Sequence, residues 1–289
     1  MKKNLLFIIV LCLAAKLNGQ AVNRNILFRQ GQTLRLTMDL STTISQQAGG
    51  QAIDFNVTGT AIHSYKVTNT TSDNSTLHHD VNRIMFKFEG MGSKSFDSDI
   101  PKDMEGPLGS PVQELLKKKY DMIVDPPGKV LLVQPPTIEA TQLDDRMKLV
   151  ASLLKEVLDV SQPPAIGSNS IFKVLPDRSI NLGETWGETH ESPEGKFSNN
   201  YSLAEITDSL LIIYVAGTSV TYSKLEIMPG MEVTITLNSK TTGKIFIDKY
   251  TNLPIERILN TESNGTMQGM GGETPIISRR RVTIKLLGD

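Results

Sequence analysis

Three adjacent residues, His78, His79 and Asp80, form the densest group of side chains in the sequence that could bind a metal or transfer protons. Histidine titrates near neutral pH and is the commonest metal ligand in proteins. The flanking residues alternate between apolar and polar, which predicts a β-strand whose adjacent side chains point to opposite faces. His78 and His79 therefore cannot easily share one metal, although His63 is expected on a neighbouring strand. We interpret these histidines as strand-surface residues and predict neither a metal site nor a catalytic residue.

A second group of candidate residues is acidic and surrounds His190. Two carboxyl groups about 5–10 Å apart in a cleft could hydrolyse a glycosidic bond. Acidic loops are common, however, and no serine lies in a G-x-S-x-G motif. A hydrolase is therefore the least favoured of the functions that we consider, and no cofactor is expected. The acidic residues are Glu184, Glu188, Glu191 and Glu194.

Apolar side chains are the stronger candidates for binding. They recur on predicted strands near residues 34–44 and 84–88 and on a predicted helix at 143–160. A groove between a curved sheet and this helix could hold a lipid or another apolar ligand. The predicted lining residues are Leu36, Met38, Phe86, Met147, Leu154 and Leu158.

Long β-strands must position these side chains. From Leu34 to Leu40 every second residue is apolar, which is the period of a half-buried strand. The alternation changes phase near Asn82, which predicts a β-bulge. Asp125-Pro126-Pro127-Gly128 separates two short apolar runs, and this arrangement predicts a hairpin.

The clearest amphipathic helix, at 143–160, lies between the pairs Pro135-Pro136 and Pro163-Pro164. At about 1.5 Å per residue it would be about 25 Å long. It could cross about five strands that lie about 4.8 Å apart. The gain from burying its apolar side chains is similar to the entropic cost of ordering it, so the helix should form only when it is docked.

Similar strand openings on both sides of this helix predict an internal duplication. Gly31-Gln32-Thr33 precedes a strand in the first half, and Gly183-Glu184-Thr185 precedes one in the second. The predicted fold is mainly β with α (α+β), in which two curved antiparallel β-sheet units are joined by the amphipathic helix. The predicted boundaries are 21–134 for the first unit, 135–167 for the linker with the helix, and 168–289 for the second unit.

The first 20 residues have the three parts of a secretory signal peptide: a basic start, an apolar run from Leu5 to Ala15, and small residues near Gly19. A lipoprotein signal ending at Cys12 is disfavoured because Leu11 is large. The formal net charge of −1 argues against binding to nucleic acid. No later segment is apolar enough to cross a membrane.

Three consecutive arginines, Arg279, Arg280 and Arg281, could pair with lipid phosphates. On a strand, Arg279 and Arg281 share one face and Arg280 lies on the other. We favour the interpretation that they belong to a solvated edge strand, whose charges discourage pairing with other chains.

The chain resembles a family of secreted proteins from Bacteroidota that are known only as a domain of unknown function. The resemblance rests on the G-x-T openings, on D-P-P-G-K at 125–129, on T-T-G-K-I-F-I-D at 241–248 and on a signal peptide ending near Asn18-Gly19-Gln20. It covers nearly all of the mature chain and implies an envelope location without a known activity. A curved sheet with a helix on its concave face is also similar, more loosely, to the half-barrel of periplasmic lipoprotein carriers, which hold acyl chains.

These observations predict a non-enzymatic protein that is secreted or periplasmic and able to associate with the outer membrane. Its expected partner is a lipid or another apolar ligand bound between sheet and helix. The alternative function is an envelope scaffold or protein-interaction module, which would pair its exposed strand edges with another envelope protein.

Overall fold

The computed structural model describes residues 22–48, 51–90, 92–106, 108–135, 158–228, 231–269 and 272–288. Within these ranges the chain forms twelve strands and two short helices. The prediction of mainly antiparallel β structure is confirmed. No helix in the described ranges is long and apolar enough to cross a membrane.

The strands are numbered in chain order. They are β1 (Thr33–Ala48), β2 (Gln51–Thr70), β3 (Ser75–Gly90), β4 (Gly92–Asp97), β5 (Lys119–Val124), β6 (Val130–Gln134), β7 (Thr185–Ser192), β8 (Gly195–Ile206), β9 (Leu210–Met228), β10 (Met231–Asp248), β11 (Pro254–Gly269) and β12 (Gly272–Gly288). The helices are α1 (Pro101–Met104) and α2 (Gly109–Leu116).

All of these strands belong to one open antiparallel sheet. Its order is β6-β5-β3-β2-β1-β12-β11-β10-β9-β8-β7, and β4 pairs with β3 outside this path. The first and last strands meet in the middle, where Leu34 pairs with Gly288 and Gln46 pairs with Ile276. Strands of both predicted units therefore share one sheet, and do not form two separate sheets. The internal duplication and the domain boundaries stay predictions.

Two of the predicted segments lie wholly or mostly outside the described residues. This holds for the signal peptide at 1–20 and for 143–157, which is most of the predicted central helix. Of the range predicted as this helix, the structure describes residues 158–160, and Leu158 and Asp159 are helical.

The β-bulge predicted near Asn82 is confirmed. Between β2 and β3, Ile62 pairs with Arg83 and His63 pairs with Val81, so Asn82 is the extra residue. An extra residue changes the phase of the alternation, so odd-numbered residues are buried before the bulge and even-numbered residues after it. The buried residues are Leu77, His79 and Val81 before the bulge, and Ile84 and Phe86 after it.

The hairpin predicted at Asp125-Pro126-Pro127-Gly128 is also confirmed, because these residues connect β5 to β6. The amide of Gly128 donates to the Asp125 carbonyl oxygen at 2.9 Å, and the amide of Lys129 donates to Asp125 Oδ1 at 2.6 Å. Gly128 has a φ of +96°, which glycine adopts without a steric penalty.

The core consists of two apolar clusters. The first cluster is built mainly by β1, β2, β3, β5 and β6, and the second mainly by β8, β9 and β10. Side chains buried in the first include Leu34, Tyr65, Leu77, Met122 and Phe172. Side chains buried in the second include Ile180, Leu203, Leu211, Ile213 and Ile247.

The prediction that Arg279, Arg280 and Arg281 lie on an edge strand is wrong. They belong to β12, which pairs with β1 on one side and with β11 on the other. Arg279 Nε lies 3.9 Å from Glu262 Oε1 on β11. A run of charged residues indicates contact with solvent, but it does not distinguish an edge strand from a central one. In this large sheet the outward face of a central strand is also in contact with solvent.

Gly265 marks a close approach between β10 and β11. A Cβ atom at Gly265 would lie 1.8 Å from the carbonyl oxygen of Thr236, so any side chain requires the strands to move apart. We expect Gly265→Ala to lower the free energy of unfolding by at least about 1–3 kcal/mol, as for overpacking. Urea denaturation measures this change. Gly269→Ala is the control, because its Cβ would make an ordinary 3.4 Å contact with Val233; an equal loss in both variants would contradict the prediction.

Candidate ligand-binding site

Four of the six predicted lining residues belong to, or pack against, the first apolar cluster. Leu36, Met38 and Phe86 belong to the first cluster and are only 2%, 4% and 5% exposed. Leu158 is partly buried and packs against the same cluster. Met147 and Leu154 lie outside the described residues. The four described lining residues therefore share one apolar cluster, in which Leu36, Met38 and Phe86 are buried.

A recess of about 320 Å³ lies beside Phe86. Apolar residues in its lining are Met85, Phe86, Phe96 and Ile100, and acidic residues are Asp97 and Asp103. The rings of Phe86 and Phe96 stack with centroids 5.0 Å apart. A hydrogen bond from Arg83 lowers the pKa of Asp97, so this carboxylate is charged at neutral pH. The recess thus combines apolar walls with at least one fixed negative charge.

Two of the histidines that we considered for metal binding are in contact. His63 on β2 and His79 on β3 are fully buried, and His63 Nδ1 lies 3.0 Å from His79 Nε2. The ring of His79 stacks on Tyr120 at 4.3 Å and lies 4.8 Å from Tyr65. The expectation that His63 lies on a strand beside His79 is confirmed. The interpretation of His63 and His79 as strand-surface residues is wrong, because both side chains are fully buried.

The hydrogen bond between these imidazoles leaves two ring nitrogens without a partner, His63 Nε2 and His79 Nδ1. Since one neutral ring must donate and the other accept, one unpaired nitrogen carries a proton and the other a lone pair. Burial lowers the pKa of His63 to about 4 and that of His79 to about 3. Both rings are therefore neutral at physiological pH.

The acidic neighbours of these histidines lie on the other side of the sheet. His78 Nδ1 is 2.6 Å from Asp121 Oδ1, and His78 Nε2 is 3.5 Å from Asp80 Oδ2. His63 and His79 point into the core, so the carboxylates of Asp80 and Asp121 do not reach them. Within the described ranges, no group of three or more His, Cys, Asp or Glu side chains could hold a metal ion. The two imidazole rings therefore form a contact within the core.

The acidic residues around His190 are spread along β7 and its flanking turns. Glu184 pairs with Arg178 at 3.1 Å. Glu188 accepts hydrogen bonds from Tyr201 Oη at 3.4 Å and from Asn169 Nδ2 at 3.2 Å. These carboxylates mostly contact neighbouring basic or polar groups on an exposed strand, and they do not form a pair across a cleft.

Sequence reasoning missed a polar and aromatic group on the second half of the sheet. Trp186 on β7 stacks with Tyr201 on β8, with ring centroids 5.5 Å apart and planes inclined by 16°. Arg257 on β11 is partly buried and donates from Nη2 to the carbonyl oxygen of Ile171. One signal in the sequence could have indicated the position of Arg257. Arg257 and Leu259 are two residues apart on one strand and therefore lie on the same face, and Leu259 packs against the second cluster.

Burial and neighbouring charges shift the pKa values of Arg257 and Tyr201. Burial lowers the pKa of Arg257 to about 10, and the nearby Tyr201 and Glu188 partly oppose this shift. Burial also raises the pKa of Tyr201 to about 12, with a further contribution from the charge of Glu188. At neutral pH the guanidinium is therefore charged and Tyr201 is a neutral hydrogen-bond donor.

Most of this polar and aromatic group lies in a segment that matches a known family. Residues 167–254 match the family described as "Family of unknown function (DUF6263)". A DUF6263 domain of unknown function is found at residues 167–254. The DUF6263 domain contains Trp186, Glu188 and Tyr201, and Arg257 follows it closely on β11. No curated protein matches the chain in sequence.

Solved structures show weak similarity. The COG4313 outer membrane channel from Pseudomonas putida F1 is 7% identical, with 91% of this chain and 98% of that chain covered and a TM-score of 0.25. DynF from the dynemicin biosynthesis pathway of Micromonospora chersina is 7% identical, with coverages of 93% and 86% and a TM-score of 0.22. OccK7 from Pseudomonas aeruginosa is 8% identical, with coverages of 90% and 100% and a TM-score of 0.23. TM-scores this low do not establish a shared fold.

Proposed function

We propose that this chain is an exported, non-enzymatic protein that holds a lipid or another apolar ligand between the sheet and the segment ending near Leu158. The observation that carries this proposal is that Leu36, Met38 and Phe86 are buried in one apolar cluster, against which Leu158 packs. Removal of apolar surface from water would drive binding at roughly 25 cal/mol per Å². Of these residues, only Phe86 lines the recess of about 320 Å³, a volume within the roughly 300–1,000 Å³ that is usual for small-molecule pockets.

The proposed location is the periplasm or the outside of the cell, with association at the outer membrane. The support is the three-part signal peptide pattern of residues 1–20. The proposal also includes a duplication of one β-rich unit, supported by the G-x-T openings that precede β1 and β7.

The proposal predicts that the protein purified from its native envelope carries an apolar compound detectable by mass spectrometry after solvent extraction. Leu158→Asp should reduce the amount retained at least tenfold, because it places a charge on the apolar surface. Leu182→Asp is the control and should retain the wild-type amount, because Leu182 is 58% exposed.

Circular dichroism establishes that both variants are folded before extracts are compared. The proposal fails if the wild-type protein carries no apolar compound, or if folded Leu158→Asp retains as much as wild type.

A second candidate function, an interaction module, is favoured by one observation. In the described part of the chain, β7 ends the sheet with β8 as its only strand neighbour, and most of its residues are exposed. An exposed strand edge can pair with a strand of another protein. In the same purification, a stoichiometric partner protein in place of an apolar compound would favour this function.

A further inference from the structure

Arg257 lies where the two apolar clusters approach each other. Its hydrogen-bond partner Ile171 packs against the first cluster, whereas Trp186, Tyr201 and Leu259 pack against the second. A charged guanidinium is costly to place among apolar side chains unless its donors are paired. Arg257 is partly buried at this border, so the N–H groups that do not bond to Ile171 are available to further acceptors.

The described residues supply few such acceptors. A guanidinium has five N–H donors, and the hydrogen bond to the Ile171 carbonyl oxygen uses one of them. Among the described side chains, no carboxylate forms an ion pair with Arg257. The nearest acidic influence is Glu188, whose two oxygens already accept hydrogen bonds from Tyr201 and Asn169.

The indole N–H of Trp186, beside this group, is a second donor to consider. Trp186 Nε1 is buried and lacks an acceptor, although an indole N–H normally finds one when it is buried. A buried donor without an acceptor costs about 1–3 kcal/mol. Arg257 and Trp186 thus both present unused donors around Tyr201, and the Trp186–Tyr201 stack gives the same place a flat apolar surface.

We propose that Arg257 binds the acidic group, a carboxylate or a phosphate, of an amphipathic organic anion whose apolar part lies against Trp186 and Tyr201. The planar guanidinium fork matches the oxygen geometry of both acidic groups. The inference does not depend on the proposed function, because Arg257, Trp186 and Tyr201 are not among the predicted lining residues at the first cluster.

Intrinsic fluorescence tests this site directly, because Trp186 is the only tryptophan of the chain. The probes are octanoate, octyl phosphate and octanol, which share a chain length and differ in the head group. At least one charged probe should change the Trp186 emission in a saturable way, and Arg257→Gln should weaken its binding at least tenfold. Arg281→Gln should bind like wild type, because Arg281 is exposed on the opposite face of the neighbouring strand β12.

The three probes make each outcome decisive. Binding of octanoate alone assigns a carboxylate, binding of octyl phosphate alone assigns a phosphate, and binding of both assigns a general acidic site. The inference is overturned if octanol binds as tightly as the charged probes, if none of the probes binds, or if folded Arg257→Gln binds like wild type. The lipid-retention test with Leu158→Asp concerns a different cluster, so the two failures are distinguishable.

A measurement on the wild-type protein covers the case in which Arg257→Gln does not fold. Salt screens charge–charge attraction, so binding of the charged probe should weaken at least threefold from low to high ionic strength, and that of octanol should not. Binding of octanoate and octyl phosphate that is independent of salt would overturn the inference.

Discussion

The free energy of unfolding is expected to fall by about 4 kcal/mol between about pH 8 and about pH 5 because His63 and His79 are buried as neutral rings. Their pKa values in the folded protein are about 4 and about 3, below the ordinary value of 6.5. The unfolded chain therefore binds protons below pH 6.5 that the folded protein does not bind. This stabilisation is complete above pH 6.5 and is lost as the pH falls toward the folded-state values.

Urea denaturation at a series of pH values measures this loss, with about 2 kcal/mol expected from each ring at about pH 5. The double variant His63→Leu with His79→Leu should lose most of the dependence between about pH 8 and about pH 5. His190→Gln is the control and should keep it, because His190 is exposed on β7. An unchanged pH dependence in the folded double variant would show that the buried pair is not its source.

Because the two rings share a hydrogen bond, replacing one ring should affect stability differently from replacing both. Replacing His79 alone leaves His63 Nδ1 without its partner, whereas replacing both rings removes the unpaired nitrogens together. We therefore expect the double variant to be more stable at neutral pH than the sum of the single changes implies.

Leu36→Ala is expected to lower the free energy of unfolding by about 2–5 kcal/mol, which is the range for large-to-small changes in a core. Leu36 is 2% exposed and lies on β1, the strand that joins both halves of the sheet through its pairs with β2 and β12. A smaller side chain removes apolar contacts and leaves a cavity that the paired strands cannot close.

Leu287→Ala is the matched control for this measurement. Leu287 lies on β12 next to Leu286, the pairing partner of Leu36, and it is 66% exposed. Its truncation should change stability by less than about 0.5 kcal/mol. Similar losses from both variants in urea denaturation would show that Leu36 does not occupy a packed core.

Local features could be predicted well from the sequence because they depend on neighbouring residues. Alternation indicated the strands, its change of phase located the bulge at Asn82, and Asp125-Pro126-Pro127-Gly128 marked the hairpin. Alternation also separated His78 from His79 correctly. It did not show that His63 and His79 touch, because this contact depends on the register between β2 and β3.

The Arg257 site could not be predicted because its parts are far apart along the chain. Ile171, Trp186, Tyr201 and Arg257 lie on an irregular segment and on three different strands. Each residue has an ordinary sequence context. Only the order of strands across the sheet brings the Arg257 guanidinium to the border of the two clusters.

The sequence by itself determined that this protein is built from long antiparallel strands and, on strands such as β1 and β3, which apolar residues face inward, because a period of two follows from strand geometry alone. The tertiary structure decided that β1 and β12 pair, that all strands form one sheet, and that Arg279, Arg280 and Arg281 lie at its centre. Pairing between the ends of the chain depends on hydrogen bonds between distant segments. No local pattern of residues encodes which distant partner a strand will choose.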